Sequence, residues 1–370
     1  MSEIKTIKIE KLVNHALGLG RLENNKIVFV PGVLPSEVIE AKIIKEKKDV
    51  VFAEPIKIIE PSAERIEPSC PYFNSCGGCD LQFASYSKQL EIKKDILRDW
   101  LKINDYDIEV SILAAPQEWQ YRNTAVFHRD KKKVGFYAKK SHTVISIKQC
   151  PILIPKLFDS VEKNNWPSEL KLRIGTDNDV VTSVSQLKNN HFLIENIDYK
   201  VWIKNFFQTN TSIIPSWLHQ IKDYLQPQSS DVVLDLFSGV GLITLYIAPM
   251  VKQIYGIEVE RASVKRAMQN STQNDIKNAY FFAGSTEKHI NRIPKVNKMI
   301  VDPPRTGINS ATIKAINNIN PDTLVYVSCY PSTFFRDIKI LNRQLTKITL
   351  VDMFPQTSHF EIVALLEPKS

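Results

Sequence analysis

The feature that most restricts the fold begins near residue 206. From there short apolar stretches, "VVLDLFSGVGLITLYIA", "QIYGIEVE", "KMIVDPP", "TLVYVSC" and "ITLVDMF", are separated by helical stretches such as "RASVKRAMQNSTQND" and "SATIKAINNI". Strands that are apolar along their whole length need cover on both faces, so the alternation predicts a parallel sheet flanked by helices, a doubly wound α/β fold. Ligands of such sheets lie beyond the carboxyl ends of the strands. The residues that close each apolar run are therefore the ones to read for chemistry.

Asp235 closes the first run, and Gly239 and Gly241 after it let the backbone turn tightly beside a ligand at a helix amino terminus. The third glycine of the dinucleotide fingerprint is replaced by Thr244, which argues against a nicotinamide or flavin enzyme. Glu258 closes the second run and is placed to accept hydrogen bonds from two ribose hydroxyls, while Glu260 is expected to face solvent. Asp302, followed by Pro303 and Pro304, enters a rigid loop over the same pocket; its alternative role is a helix cap or turn residue. Arg305 follows, a cation suited to a pyrimidine oxygen or a phosphate. Cys329 ends a further strand on the ligand side, and Glu361 lies among apolar residues that would raise its pKa and make it a useful base. Taken singly, the cysteine also reads as packing and the glutamate as a surface carboxylate.

The first 60 residues alternate strand-like segments with glycine, Asn-Asn and Pro-Gly turns, the pattern of a small β-barrel. Lys42, Lys45, Lys47, Lys48 and Lys57 interrupt its apolar positions, either to follow a phosphate backbone or to protect strand edges. The net charge of +8 and pI near 9.0 agree with a polyanionic partner. "CPYFNSCGGCDLQF" then gathers three of the chain's five cysteines. No secretory core or membrane-length apolar run is present, so the expected location is cytoplasmic, where clustered cysteines bind metal or catalyse. Spacing leaves zinc and an iron-sulfur cluster equally open. A helix is predicted in "SYSKQLEIKKDILRDWLKI", and an antiparallel sheet over 120–205.

Together these motifs resemble the RNA 5-methyluridine methyltransferases, S-adenosylmethionine-dependent enzymes that methylate uracil C5 in ribosomal or transfer RNA. "CGGCDLQ", "KQCPI", "FFQTN", "DLFSGVG", "YGIEVE", "VDPPR", "SCYPSTFFRD" and "SHFEIVALLE" occur in the family's order over nearly the whole chain. The resemblance implies an α/β protein of three parts. These are an RNA-binding TRAM barrel, OB-like, over 1–60; a central β-rich iron-sulfur domain over 61–205, its helix near 84–103 packing with the catalytic part; and a Rossmann-like methyltransferase domain over 206–370. It implies a [4Fe-4S] cluster on Cys70, Cys76, Cys79 and Cys150, with Gly77 and Gly78 opening the sulfurs to backbone amides. It further implies S-adenosylmethionine contacts from Gln208, Phe237, Glu258 and Asp302, Cys329 as nucleophile, Glu361 as base, and Arg122 as an RNA contact. Arg305 or Arg336 is expected to lower the pKa of Cys329. The RNA is expected to be 23S ribosomal RNA, with transfer RNA as the alternative. A more distant alternative is an RNA-binding protein that retains the fold without the reaction.

Overall fold

The structure, a computed structural model, describes residues 3–162, 166, 168–185 and 188–369. Five strands, β1 (Ile4–Val13), β2 (Leu17–Arg21), β3 (Ile27–Pro31), β4 (Val38–Glu46) and β5 (Val50–Glu60), close into a barrel in the order β1-β2-β3-β5-β4. Alternate residues point inward: Ile7, Ile9, Val28, Val30, Ile39, Ala41 and Val51 form the barrel core, and the five lysines singled out above are exposed. The barrel is narrow at β2. A Cβ on Gly18 would stand 2.3 Å from Val33 Cγ2, and one on Gly20 would stand 2.6 Å from the Lys8 carbonyl, so only glycine fits there.

Helix α1 (Tyr86–Ile103) begins at Ser85, whose side chain accepts from the Lys88 N–H. Its apolar face, Ile92, Ile96, Leu97 and Leu101, is buried in the same core as the large sheet described below. Strand β6 (Val110–Leu113) follows. A smaller antiparallel sheet comprises β7 (Thr124–Asp130), β8 (Lys133–Tyr137), β9 (Val144–Ser146), β10 (Glu169–Ile174) and β11 (Val180–Thr182), ordered β11-β10-β7-β8-β9, with α2 (Pro155–Glu162) against it. Strands β12 (Asn189–Ile194) and β13 (Ile197–Trp202) form a separate hairpin.

The remaining elements are α3 (Ile214–Leu225), β14 (Val232–Leu236), α4 (Leu242–Ile247), β15 (Gln253–Glu258), α5 (Arg261–Gln273), β16 (Ala279–Ala283), α6 (Thr286–His289), β17 (Lys298–Val301), α7 (Ser310–Ile319), β18 (Thr323–Ser328), α8 (Pro331–Ile340), β19 (Arg343–Val351) and β20 (Glu361–Pro368). They build an eight-stranded sheet in the order β16-β15-β14-β17-β18-β20-β19-β6. Period-two alternation divides each strand between two cores. Leu234, Leu236, Ile257, Met299, Val301 and Tyr326 face α1, α7 and α8, whereas Val233, Ile254, Ile300, Val325 and Val327 face α3, α4 and α5. The doubly wound arrangement is as the alternation predicts, with β20 inserted antiparallel between β18 and β19.

Two segments inside 61–205 join this sheet's body and not the smaller one. β6 pairs in parallel with β19, and Phe192, Tyr199 and Val201 of the β12–β13 hairpin pack with Trp217 and Ile243. Both segments are short and apolar on the side that packs, so their partners are set by tertiary contact and not by their own pattern.

Candidate active site

Sheet register brings the expected strand-end residues to one edge. Leu236 pairs with Ile257 on one side and Val301 on the other, so Phe237, Glu258 and Asp302 stand level, each one step beyond the last shared pair. Phe237 adopts φ 66° although it is not glycine, and its N–H donates to the Ile257 carbonyl at 2.9 Å. A bulky residue held in the left-handed region is strained and is found where surrounding structure fixes it for a purpose. Gly239 (φ 55°) and Gly241 (φ 88°) complete the turn into α4. Glu258 spans this loop, accepting from the Gly239 N–H at 3.1 Å and from the Glu260 N–H at 2.8 Å. Glu260 is exposed, as expected, and accepts from Ser263 Oγ at 2.5 Å.

Asp235 lies below this edge, fully buried, with Oδ2 accepting from Thr244 Oγ1 at 2.5 Å and Oδ1 unpartnered. Thr244, where a dinucleotide fingerprint has glycine, is thus a bracket for the carboxyl. Burial, followed by the charges of Asp302 and Glu258, pushes Asp235 up to about 7. Asp302 is raised for the same first reason, the desolvation of its carboxyl. Several carboxyl groups therefore gather at this edge, and among the described residues none of Asp235, Glu258 and Asp302 has a basic side chain as its hydrogen-bond partner, an arrangement that favours a cationic ligand. Asp235 was read from sequence only as a strand end; nothing local signalled that its buried carboxyl couples to Asp302 and Glu258.

On the neighbouring strands Ser328 pairs antiparallel with Ile362. Continuing that register by one residue sets Cys329 opposite Glu361. Glu361 is buried, its Oε2 has no hydrogen-bond partner, and burial and then the charge of Asp302 raise its pKa. Cys329 is half-buried, and its pKa is raised too: burial acts first, then Glu361 and Asp302, opposed by the charge of Arg305 and a hydrogen bond from it. The expected lowering of Cys329 is therefore not found in the free protein. Arg305 pulls in that direction but is outweighed, and Arg336 takes no part. The Arg336 guanidinium is paired with its neighbour Asp337 at 2.6 Å and donates to the Thr306 carbonyl. Asp337 draws it there because that carboxylate is buried, also accepting from the Ile308 N–H and Tyr326 OH.

The other cysteines form a second site. Cys70, Cys76, Cys79 and Cys150 line one cavity of about 780 Å³, together with Arg122, His128 and Lys139. Burial pushes Cys79 up to about 12 and Cys150 up to about 11, and raises Cys76. Backbone amides oppose this: the Gly78 N–H donates to the Cys76 sulfur, and the Ile152 and Leu153 N–H groups to that of Cys150. A Cβ on Gly78 would lie 3.6 Å from Cys76 Sγ, an ordinary contact. Gln82 bridges two members, its Oε1 accepting from the Cys70 N–H at 3.2 Å and its side chain bonding the Cys79 sulfur. Among the described residues no three His, Cys, Asp or Glu converge as ligands of a metal ion.

Arg122 belongs to this cavity and not to the surroundings of Cys329; its Nε donates to the Thr124 carbonyl at 3.0 Å. Gln208 is buried ahead of α3, its carbonyl accepting from Asn123 Nδ2 at 2.9 Å. No helix among the described residues is long and apolar enough to cross a membrane.

Residues 168–369 match the family described as tRNA (Uracil-5-)-methyltransferase, and residues 2–56 match the TRAM domain. A 23S rRNA (uracil(1939)-C(5))-methyltransferase of Vibrio parahaemolyticus is 30% identical over 98% of this chain and 96% of its own, and its counterpart in Legionella pneumophila (strain Paris) is 30% identical over 98% and 97%. In fold, the chain superposes with TM-score 0.79 on the Pyrococcus abyssi tRNA (uracil-54, C5)-methyltransferase solved with S-adenosyl-L-homocysteine, covering 98% of this chain and 100% of that one at 23% identity. A TRAM barrel and a Rossmann-like methyltransferase fold thus occur in one polypeptide, and the chain belongs to the RNA uracil-C5 methyltransferases.

Proposed function

We propose that this enzyme methylates C5 of a uridine in 23S ribosomal RNA through a covalent bond to Cys329. The observation that carries the proposal is the facing pair at the β18–β20 end: a thiol on one strand and a buried, unpartnered carboxyl on the next. Uracil C5 is a weak nucleophile, so the chemistry needs activation. The Cys329 thiolate adds to C6, and the C5–C6 π electrons become an enolate that makes C5 nucleophilic. S-adenosylmethionine, when bound, supplies the electrophilic methyl group at this point. Glu361 then takes the proton from C5, the freed pair restores the C5–C6 double bond, and the Cys329 sulfur leaves. Arg305 is the cation that favours the thiolate.

The acidic floor fits the cofactor. Asp235 and Asp302, buried with raised pKa values, would be relieved by a ligand bearing sulfonium and ammonium charge. Glu258 is placed for ribose hydroxyls, with Phe237, Asp302 and Gln208 completing the contacts. The target base must leave its stack, at a cost of a few kcal/mol that contacts elsewhere on the RNA offset.

Cys70, Cys76, Cys79 and Cys150 are the residues to hold a [4Fe-4S] cluster. What supports this is an all-thiol donor set around a roomy cavity, with amide N–H groups aimed at the sulfurs and cations nearby. The 23S target is supported by the names of relatives at 30% identity. Tritium release from 5-labelled uridine in a 23S fragment and in a tRNA transcript, with mapping of 5-methyluridine in each, tests the assignment. Release from the ribosomal fragment alone is expected; release from tRNA alone overturns it.

A further inference from the structure

The segment between β19 and β20, residues 352–360, leads directly into Glu361, and several of its anchors come from far away in the chain. Lys93 Nζ of α1 bonds Asp352 Oδ1 at 2.5 Å and the Phe354 carbonyl at 3.1 Å. Tyr121 OH donates to the Pro355 carbonyl at 2.9 Å. Gln89 makes a reciprocal pair with Gln356, its Oε1 accepting from the Gln356 N–H at 2.8 Å and its Nε2 donating to Gln356 Oε1 at 2.9 Å. The turn itself is strained, with Gln356 at φ 69°.

The contact nearest to Glu361 comes from the cysteine loop. Asp80, the residue after Cys79, accepts from the Ser358 N–H at 2.5 Å through Oδ1 and from Ser358 Oγ at 2.8 Å through Oδ2. The N–H groups of Asp80 and Leu81 both donate to the Gln356 carbonyl, at 3.2 and 3.1 Å. Ser358 is buried, and with His359 and Phe360 it lines a narrow cleft that Cys329, Tyr330 and Pro331 also line. A two-point carboxylate clamp on Ser358 thus acts three residues before the base and in the cleft that the nucleophile also lines.

We propose that Asp80 is a positioning residue for the reaction, holding the 356–358 turn so that Glu361 reaches the proton on C5. This rests on Glu361 being the base. Proton removal follows methyl transfer, so a displaced base stalls the enzyme as a protein–RNA adduct, whereas general loss of packing lowers all steps together. A shift of about 1 Å in a reacting group costs up to ~100-fold in rate.

The test compares Asp80→Ala, Asp80→Asn, Ser358→Ala and Glu361→Gln in the full chain, with substrate RNA and S-adenosylmethionine. For Asp80→Ala we expect kcat to fall about 10- to 100-fold with KM for RNA within about threefold, and a slow-migrating adduct on a denaturing gel as with Glu361→Gln. Asp80→Asn keeps an acceptor for the Ser358 N–H and should recover part of the rate. Ser358→Ala loses only the hydroxyl bond and should lie between. If Glu361→Gln gives the adduct but Asp80→Ala does not, or if Asp80→Asn is no better than Asp80→Ala, the positioning role is overturned while the base stands. If Glu361→Gln gives no adduct, the base assignment falls and the positioning role with it.

Discussion

The cysteine pocket and the strand-end pocket both bury weak acids, but they are built on different supports. Around the thiols the opposing groups are local: amides of Gly78, Ile152 and Leu153, and the cations Lys139 and Arg122. At the strand ends the carboxyls of Asp235, Asp302 and Glu361 mainly face one another, with unpartnered oxygens on Asp235 and Glu361. On the proposed function, the first site would hold a fixed group and the second would bind cofactor and substrate base.

The sharpest division between the two pockets comes from removing one sulfur in each. Cys329→Ala should lower turnover by at least ~1,000-fold, because the covalent route is lost outright. RNA affinity, by filter binding, and melting temperature should hardly move. Persistent 5-methyluridine formation at a substantial rate would end the distinction between a chemical and a structural cysteine. Cys150→Ser, in contrast, should lose bound iron and lower the melting temperature by roughly 10 °C or more, since ligand binding and folding are coupled at such sites. A variant that keeps its melting temperature and its iron content would show that Cys150 is no ligand.

Protonation separates the pockets more gently. Asp235, Asp302 and Glu361 have folded pKa values above their unfolded ones, so the folded chain holds protons that the unfolded chain has released. Stability from these groups is fullest below the unfolded pKa of about 4 and is lost as pH rises through the folded value. Without cofactor the melting temperature should fall by several °C between about pH 6 and 8, and S-adenosyl-L-homocysteine, which carries an ammonium group, should reduce the fall. Asp302→Asn should flatten it as well. The rate of a single turnover should rise over the same range, because both the Glu361 carboxylate and the Cys329 thiolate gain with pH. A melting temperature that rises with pH would mean the carboxyls are already compensated.

The strand ends were legible from sequence because a parallel strand buried on both faces stops being apolar where it leaves the sheet. Glu258, Asp302 and Cys329 each follow such a run, and register does the rest. The cysteine cluster was legible for a similar reason, through spacing within one loop. What escaped were pairings across the chain. The Asp80–Ser358 clamp joins residues 278 apart, and the buried Lys93–Asp352 pair joins residues 259 apart. Neither leaves a periodic or local trace, since each residue alone has the composition of a loop or a helix face. Arg336 failed as a counter-ion for the opposite reason. Its partner is the adjacent Asp337, an acid whose burial the sequence did not disclose.

The smallest expected effect lies in the barrel, where the structure weakens one of two readings for Lys42 and leaves both for Lys45 and Lys57. Lysines at strand edges commonly block edge-to-edge association; the strands close into a barrel, and Lys42 is paired on both sides, but Lys45 and Lys57 lie where β4 and β5 pair with one neighbour only. Lys42, Lys45, Lys48 and Lys57 are exposed, as following a phosphate backbone requires, while Lys47 also lies 5.8 Å from the Phe52 ring centroid. Each of Lys42→Ala, Lys45→Ala and Lys57→Ala should weaken RNA binding a few-fold and reduce the slope of log affinity against log salt by about 1 where that side chain neutralises a phosphate. Turnover of RNA already bound should not change, because no bond is made or broken there. A salt slope unchanged in all three would make these lysines a solvated face, and would leave the smaller sheet, with its exposed Lys131–Lys133 turn, to supply the backbone contacts that offset extrusion of the base.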